Sequence, residues 1–203
     1  MAGFAKMEER GFGMVPGTAA YLDVETTGLS PNLAEIVEVG IAVFDFDWLT
    51  GTILGVRFTY SRLRQPSRPI PATATRIHGI TNQMVQGCAI DASEVRGVLD
   101  GCAFVAAHNA PFDMGFAVRL WPWMARWSWV CSMRQVDWHR HGFQSRRLHV
   151  LAQAHGIQPD QRHRALADCL TGVELLSRQS PDRQPYLAEL LEHLPKQVAR
   201  PFG

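Results

Sequence analysis

Three β-rich runs in close succession, followed by alternating strand and helix signals, constrain this 203-residue chain more than any other feature. Residues 19–26 are apolar and then acidic, and stop at Gly28, Ser30 and Pro31. Residues 35–47 (EIVEVGIAVFDFD) are rich in Val, Ile and Phe, and residues 52–61 form a third such run. Connections this short suit antiparallel neighbours, because a parallel pair needs a crossover of about a dozen residues or more. Residues 62–74, with Pro and Arg, read as a loop. Thr81 and Asp91 read as helix N-caps, the latter before a helix over 92–101. Residues 103–107 read as a short buried strand of the parallel-sheet kind. Pro111 opens the next helix, where its missing N–H costs little. Residues 127–131 read as a fifth strand, and helices are expected over 133–140, 147–155, 164–178 and 184–194. Strands first and alternation later imply an α/β sandwich on one mixed sheet.

Hydrophobic residues are 46% of the chain and charged residues 19%, which suits one folded domain with decorations. The expected organisation is an N-terminal arm over 1–18, a main domain over 19–180, and a C-terminal helix and tail over 181–203. A net charge of +1 argues against a stable nucleic-acid packager, so any contact with a polyanion should be local and transient. Cys88, Cys102, Cys131 and Cys169 form no C-x-x-C pair and read as free thiols of a reducing compartment. No signal-peptide pattern and no run of membrane-spanning length is present, so a soluble cytoplasmic protein without a membrane partner is expected.

The chemistry-bearing residues lie in three separated segments. Asp23 and Glu25 flank Val24; two residues apart on a strand, they share a face while Val24 points into apolar packing. Asp113 follows HNAP just inside a helix that begins at the carboxyl end of a strand, where open α/β sheets place their sites. His163 and Asp168 lie in HRALAD. On one regular helix they would point about 140° apart. They converge if His163 lies on the loop before the helix and Asp168 on its second turn. Bringing four acids together raises their pKa values unless a cation gathers them, and all-oxygen ligands suit Mg²⁺ or Mn²⁺ over Zn²⁺. The bland alternatives are solvated acids on an edge strand, an acid on the Asp113 helix dipole, and an Asp168–Arg164 pair at i, i+4.

In this order and with these flanks, the segments LDVETTGL, VAAHNAPFDMGF and HRALADC resemble the DEDDh 3′→5′ exonucleases, the family of the proofreading epsilon subunit of bacterial DNA polymerase III. RIHGIT over 76–81 looks like a lesser family element, and the resemblance runs from about Tyr21 to Leu176. It implies a ribonuclease H-like three-layer α/β/α sandwich with a five-stranded mixed sheet. It also implies two divalent cations, Mg²⁺ or Mn²⁺, held by Asp23, Glu25, Asp113 and Asp168, with His163 as general base. Thr26, Leu29, His78, Asn109 and Phe112 would contact the terminal nucleotide. The implied activity is release of nucleoside 5′-monophosphates from DNA 3′ ends, single-stranded DNA being favoured. An exoribonuclease or oligoribonuclease of the same fold is the alternative, and a non-catalytic polymerase-associated subunit a further one. A DNA polymerase or other replication protein is a candidate partner. The chain departs from many relatives at Cys131-Ser132-Met133, where they carry an acid opening a D-T-hydrophobic segment.

Other features take plainer readings. The tryptophans at 121, 123, 127 and 129 read as packing residues before a base-stacking platform. His139, His141 and Cys131 lack a regularly spaced fourth ligand. Arg57, Arg62, Arg64 and Arg68, and separately Arg134, Arg140, Arg146 and Arg147, could guide a phosphate backbone or form solvated basic faces. Leu187, Leu190, Leu191 and Leu194 form the apolar side of a helix packed on its own core.

Overall fold

The computed structural model describes residues 13–158, 163–195 and 198. Most of the expected arm (1–12), the segment 159–162 and most of the tail lie outside the described residues. Five strands form one sheet in the order β3-β2-β1-β4-β5. β1 (Pro16–Thr26), β2 (Ile36–Asp47) and β3 (Ile53–Leu63) are the expected antiparallel meander. β4 (Val105–Ala107) and β5 (Trp129–Cys131) add in parallel on the other side of β1. β1 is therefore the central strand, antiparallel to one neighbour and parallel to the other.

Period-two alternation along β1 and β2 builds two cores, one on each face. Ala19, Tyr21, Ala42 and Phe44 pack with α5 (Leu148–Ala154), α6 (Ala165–Ser177) and α7 (Tyr186–Glu192). Ala20, Leu22, Val24, Val39, Ile41 and Val43 pack with α3 (Ala92–Leu99), α4 (Ala110–Leu120) and the 3₁₀ turn Pro122–Arg126. The result is the three-layer α/β/α sandwich of the ribonuclease H-like fold. A smaller cluster, with Val37, Ile70 and Ile80, seats α1 (Ala72–His78) and α2 (Asn82–Val85) beside the end of β1. Among the described residues no helix is long and apolar enough to cross a membrane, and all four cysteines are free.

Several expectations needed correction. No helix forms over 133–140; this stretch is a series of turns. Side chains take two backbone N–H groups that a helix there would use: Asp137 Oδ1 accepts from Arg140 N–H, and Glu189 of α7 from Asp137 N–H. The expected loop over 62–74 is shorter, because β3 continues to Leu63 and α1 begins at Ala72 behind Pro71. Of the eight arginines in the two basic groups, four form ion pairs, Arg57–Asp45, Arg62–Glu94, Arg64–Glu35 and Arg140–Asp182. Trp121 is buried, and Trp123, Trp127 and Trp129 pack against the same cluster. His141 bonds to Glu189, and Cys131 Sγ accepts from Ala110 N–H.

Candidate active site

β1 and β4 pair only through Ala20–Val105 and Tyr21–Ala106, so the two parallel strands part company just before Asp23. Beyond that point the β4-facing N–H of Val24 would be orphaned. Asp113, in the first turn of α4, accepts it through Oδ1 at 3.2 Å. Asp113 is buried, and Asn109 before it takes the left-handed conformation (φ 71°) that turns the chain from β4 into α4. Val24 itself is buried in the α4-side core, as the D-V-E alternation requires.

Asp23 and Glu25 point to the other face, towards α6. Gly40 lies opposite Asp23 in β2. A Cβ there would lie 2.3 Å from the backbone of Ala165 and Leu166, so the absent side chain lets the first turn of α6 descend onto the sheet. Gly172, further along α6, meets Tyr21 in the same way. This close approach brings Asp168 down beside Glu25. His163 precedes the helix in a left-handed conformation (φ 57°), and Asp168 lies in the first helical turn, one turn earlier than expected. Ligand atoms of Glu25, His163 and Asp168 all lie within 4.8 Å of one another.

The electrostatics follow from burial and like charge. Burial, then the charges of Asp113, Glu25 and Asp168, push the Asp23 carboxyl well above the usual range. Asp113 is likewise pushed up, chiefly by burial, although the Val24 N–H opposes the shift. Glu25 is raised to about 8 by burial and the Asp168 charge. Asp168 is raised to about 6 by burial, with His163 opposing.

One acid was missed. Glu38 lies opposite Glu25 on the same face of the sheet and is 1% exposed. It holds the Arg164 guanidinium through both Nε and Nη2 and accepts the Ala165 N–H at 3.0 Å, capping α6. Arg164 thus pairs with Glu38, where the sequence offered Asp168 as its partner. The signal was available: Glu38 is a charge inside an otherwise apolar strand, and buried charges need partners. With Arg164 engaged by Glu38, the four clustered acids lack a full complement of positive charge. An all-oxygen donor set with that deficit fits divalent cations.

The other expected contacts surround this cluster. Thr26, just past a register shift that follows Glu25, donates its hydroxyl to Gly28 O at 2.7 Å. Leu29 is 85% exposed at the tip of the loop. His78 is buried, with Nδ1 accepting from Ile80 N–H and Nε2 unbonded among the described residues; burial lowers its pKa. Asn109 Oδ1 accepts from Arg134 at 3.0 Å, and the half-buried Phe112 packs tilted against Phe116 with ring centres 4.9 Å apart. A further polar chain was unforeseen. Tyr21 Oη bonds Ser132 Oγ, which bonds His108 Nδ1, while His108 Nε2 reaches Arg146 O. It braces the β1 and β4 ends, and Ser132 lies in the Cys131-Ser132-Met133 stretch where many relatives carry an acid.

Fold and site define a nuclease-type α/β protein with its acids gathered at the end of the central strand. The chain belongs to the exonuclease family, which it matches over residues 21–176 and which depends on divalent metal. It is 34% identical over 176 residues to the 3′-5′ exonuclease DinG of Bacillus subtilis, a match covering 81% of this chain and 18% of that protein. It is 31% identical over 162 residues to exodeoxyribonuclease 10 of Escherichia coli K12, covering 76% and 65%. The chain spans only 12% of the PolC-type DNA polymerase III of Thermotoga petrophila, at 30% identity. Among solved structures, exonuclease I superposes with a TM-score of 0.65 at 20% identity, covering 85% of this chain and 42% of that one. Exonuclease X in complex with 5′ overhanging duplex DNA superposes at 0.56 with 28% identity, covering 84% and 99%.

Proposed function

We propose that this chain is a metal-dependent 3′→5′ exonuclease that releases nucleoside 5′-monophosphates from DNA 3′ ends. The observation that carries the reading is the meeting of Glu25, His163 and Asp168 within 4.8 Å, beside Asp23 and Asp113, where β1 and β4 separate. Asp23, Glu25, Asp113 and Asp168 would hold two Mg²⁺ or Mn²⁺ ions, which supply Lewis-acid stabilisation of charge developing on the phosphoryl oxygens.

The remaining chemistry belongs to the chain. His163 is exposed on a segment outside regular structure and can approach an incoming water. Its ring nitrogen takes the water's proton as the water oxygen bonds to phosphorus and the P–O3′ bond breaks, the O3′ leaving with the bonding pair and taking a proton from solvent. The imidazole suits that task because its ordinary pKa lies near neutrality. Exposed Leu29 and the Phe112 ring present apolar faces on which a terminal base can be held, and Asn109 and Thr26 offer polar contacts to sugar and phosphate. His78, kept neutral by burial and accepting at Nδ1 from Ile80 N–H, can donate from its unbonded Nε2.

DNA is favoured over RNA as substrate by relatives described as an exodeoxyribonuclease and as an exonuclease in complex with DNA. Matched DNA and RNA oligonucleotides, competed in one reaction with Mg²⁺ or Mn²⁺, test this choice. Faster loss of the DNA is expected. Preferential loss of the RNA would move the substrate class to RNA, where contacts to the 2′-OH decide.

A further inference from the structure

The four arginines on or near β3 are not equivalent. Arg57, Arg62 and Arg64 are held by Asp45, Glu94 and Glu35 at 2.9, 3.5 and 3.0 Å. Arg68 has no acidic partner among the described residues, and neither has Arg119 on α4. Both are exposed, and both line the same cavity of about 380 Å³, together with Arg64. Three guanidinium groups there face one carboxylate, Glu35. Ser67 and Arg64 already occupy that carboxylate with hydrogen bonds. The lining mixes polar and apolar groups, with Leu120 on one wall, Leu33, 88% exposed, on the other, and Phe116 buried behind.

No residue of the acid cluster lines the cavity, but the two are joined through the chain. The two cavity walls are extensions of the segments that carry the site residues. α4 bears Asp113 in its first turn and Arg119 six residues later, a rise of about 9 Å. The loop after β1 bears Leu29 and then Asn32 and Leu33. Phe112, expected at the terminal nucleotide, packs tilted against Phe116, which backs the cavity wall.

We propose that this cavity is an upstream nucleotide subsite for the same strand whose 3′ end enters the active site, so the inference rests on the proposed function. About 9 Å corresponds to roughly two or three nucleotides at 3.4 Å per stacked step. Arg68 and Arg119 receive phosphodiester oxygens as charge-assisted donors, and a base lies against Leu120 and Leu33. A single-stranded nucleic acid is the occupant because unpaired guanidinium groups beside accessible leucine side chains match alternating phosphate and base.

The test is the double variant Arg68→Gln/Arg119→Gln, whose exposed side chains leave no acid unpaired. The p-nitrophenyl ester of thymidine 5′-monophosphate occupies only the terminal position. The variant should hydrolyse it with kcat and KM within about twofold of wild type, while KM for an oligothymidylate of eight residues rises about tenfold at moderate salt. Binding of that fluorescently labelled 8-mer in EDTA should weaken in parallel. The slope of log affinity against log salt should shrink by about 0.7 for each phosphate that an arginine no longer neutralises. Equal 8-mer affinity with an unchanged slope would overturn the subsite, as would an equal loss on the ester and the 8-mer. Failure of the exonuclease reading is distinguishable, because wild-type protein would then hydrolyse neither substrate whatever the binding result.

Discussion

Asp23, Glu25, Asp113 and Asp168 are acids whose environment disfavours their charged forms, and that tension defines the site. His163 lies within 4.8 Å of Glu25 and Asp168, and its exposed, left-handed position leaves it free to meet a substrate. Replacing it with Ala should lower kcat by about 10²–10⁴-fold, the scale of a positioned general base, with little change in oligonucleotide affinity. A kcat within a few-fold of wild type would remove it from the chemistry. Glu38 acts differently. Glu38→Gln leaves Arg164 without its carboxylate and weakens the cap on Ala165. The cost should be on the order of 2–3 kcal/mol in urea unfolding, less than for a fully buried pair because Arg164 is about one-third exposed. An unchanged midpoint would mean that solvent replaces the pair. Glu38 was legible as an oddity in the sequence, but its partner was not: Arg164 is 126 positions away, and local spacing offered Asp168 instead.

The elements show why separated motifs converge. The Asp23/Glu25 face followed from strand periodicity alone, and the capping of α2 by Thr81 and α3 by Asp91 was readable in the same way. What periodicity could not supply was the distance between α6 and the sheet. That distance is set by a missing side chain at Gly40, and nothing in the strand pattern distinguishes that glycine from one that merely weakens a strand. Gly40→Ala should force the first turn of α6 outward against its own backbone, moving Asp168 away from Glu25. We expect at least a tenfold loss of activity, because about 1 Å of misplacement can cost 10²-fold. Near-normal turnover in a folded Gly40→Ala protein would show that α6 tolerates the shift. The failed helix over 133–140 has the opposite cause. Its composition permits a helix, but side chains of Asp137 and the distant Glu189 claim its backbone N–H groups.

For the whole molecule, the acid cluster couples stability to pH and metal. The unfolded chain ionises these carboxyls near pH 4, whereas the metal-free fold holds Asp168 to about 6 and Glu25 to about 8. The folded state therefore binds more protons across that window. Its stabilisation from these groups is full below about pH 4 and is lost as pH rises through 6 and then 8. Glu35 and Asp47, whose carboxyls are held low by hydrogen bonds from Ser67 and Val15, work in the opposite sense at more acid pH. Melting in EDTA should fall between pH 5 and 8, and saturating Mn²⁺ should flatten the fall because ligand binding stabilises the fold. A pH-independent melting temperature in EDTA would contradict the crowded-acid account. The meander and the single mixed sheet were legible because strand-first order admits few topologies, and the three layers came from the family resemblance; the upstream cavity was not legible, because it depends on which arginines find acids.

The central claim is that the gathered acids and His163 trim a strand from its 3′ end with divalent metal. It is tested most directly by following a 5′-end-labelled single-stranded DNA in Mg²⁺ over time. The account predicts a ladder of progressively shorter, label-retaining products with mononucleotide release, abolished by EDTA and by Asp168→Asn. Label appearing first as a mononucleotide, or a ladder that persists in EDTA, would contradict it.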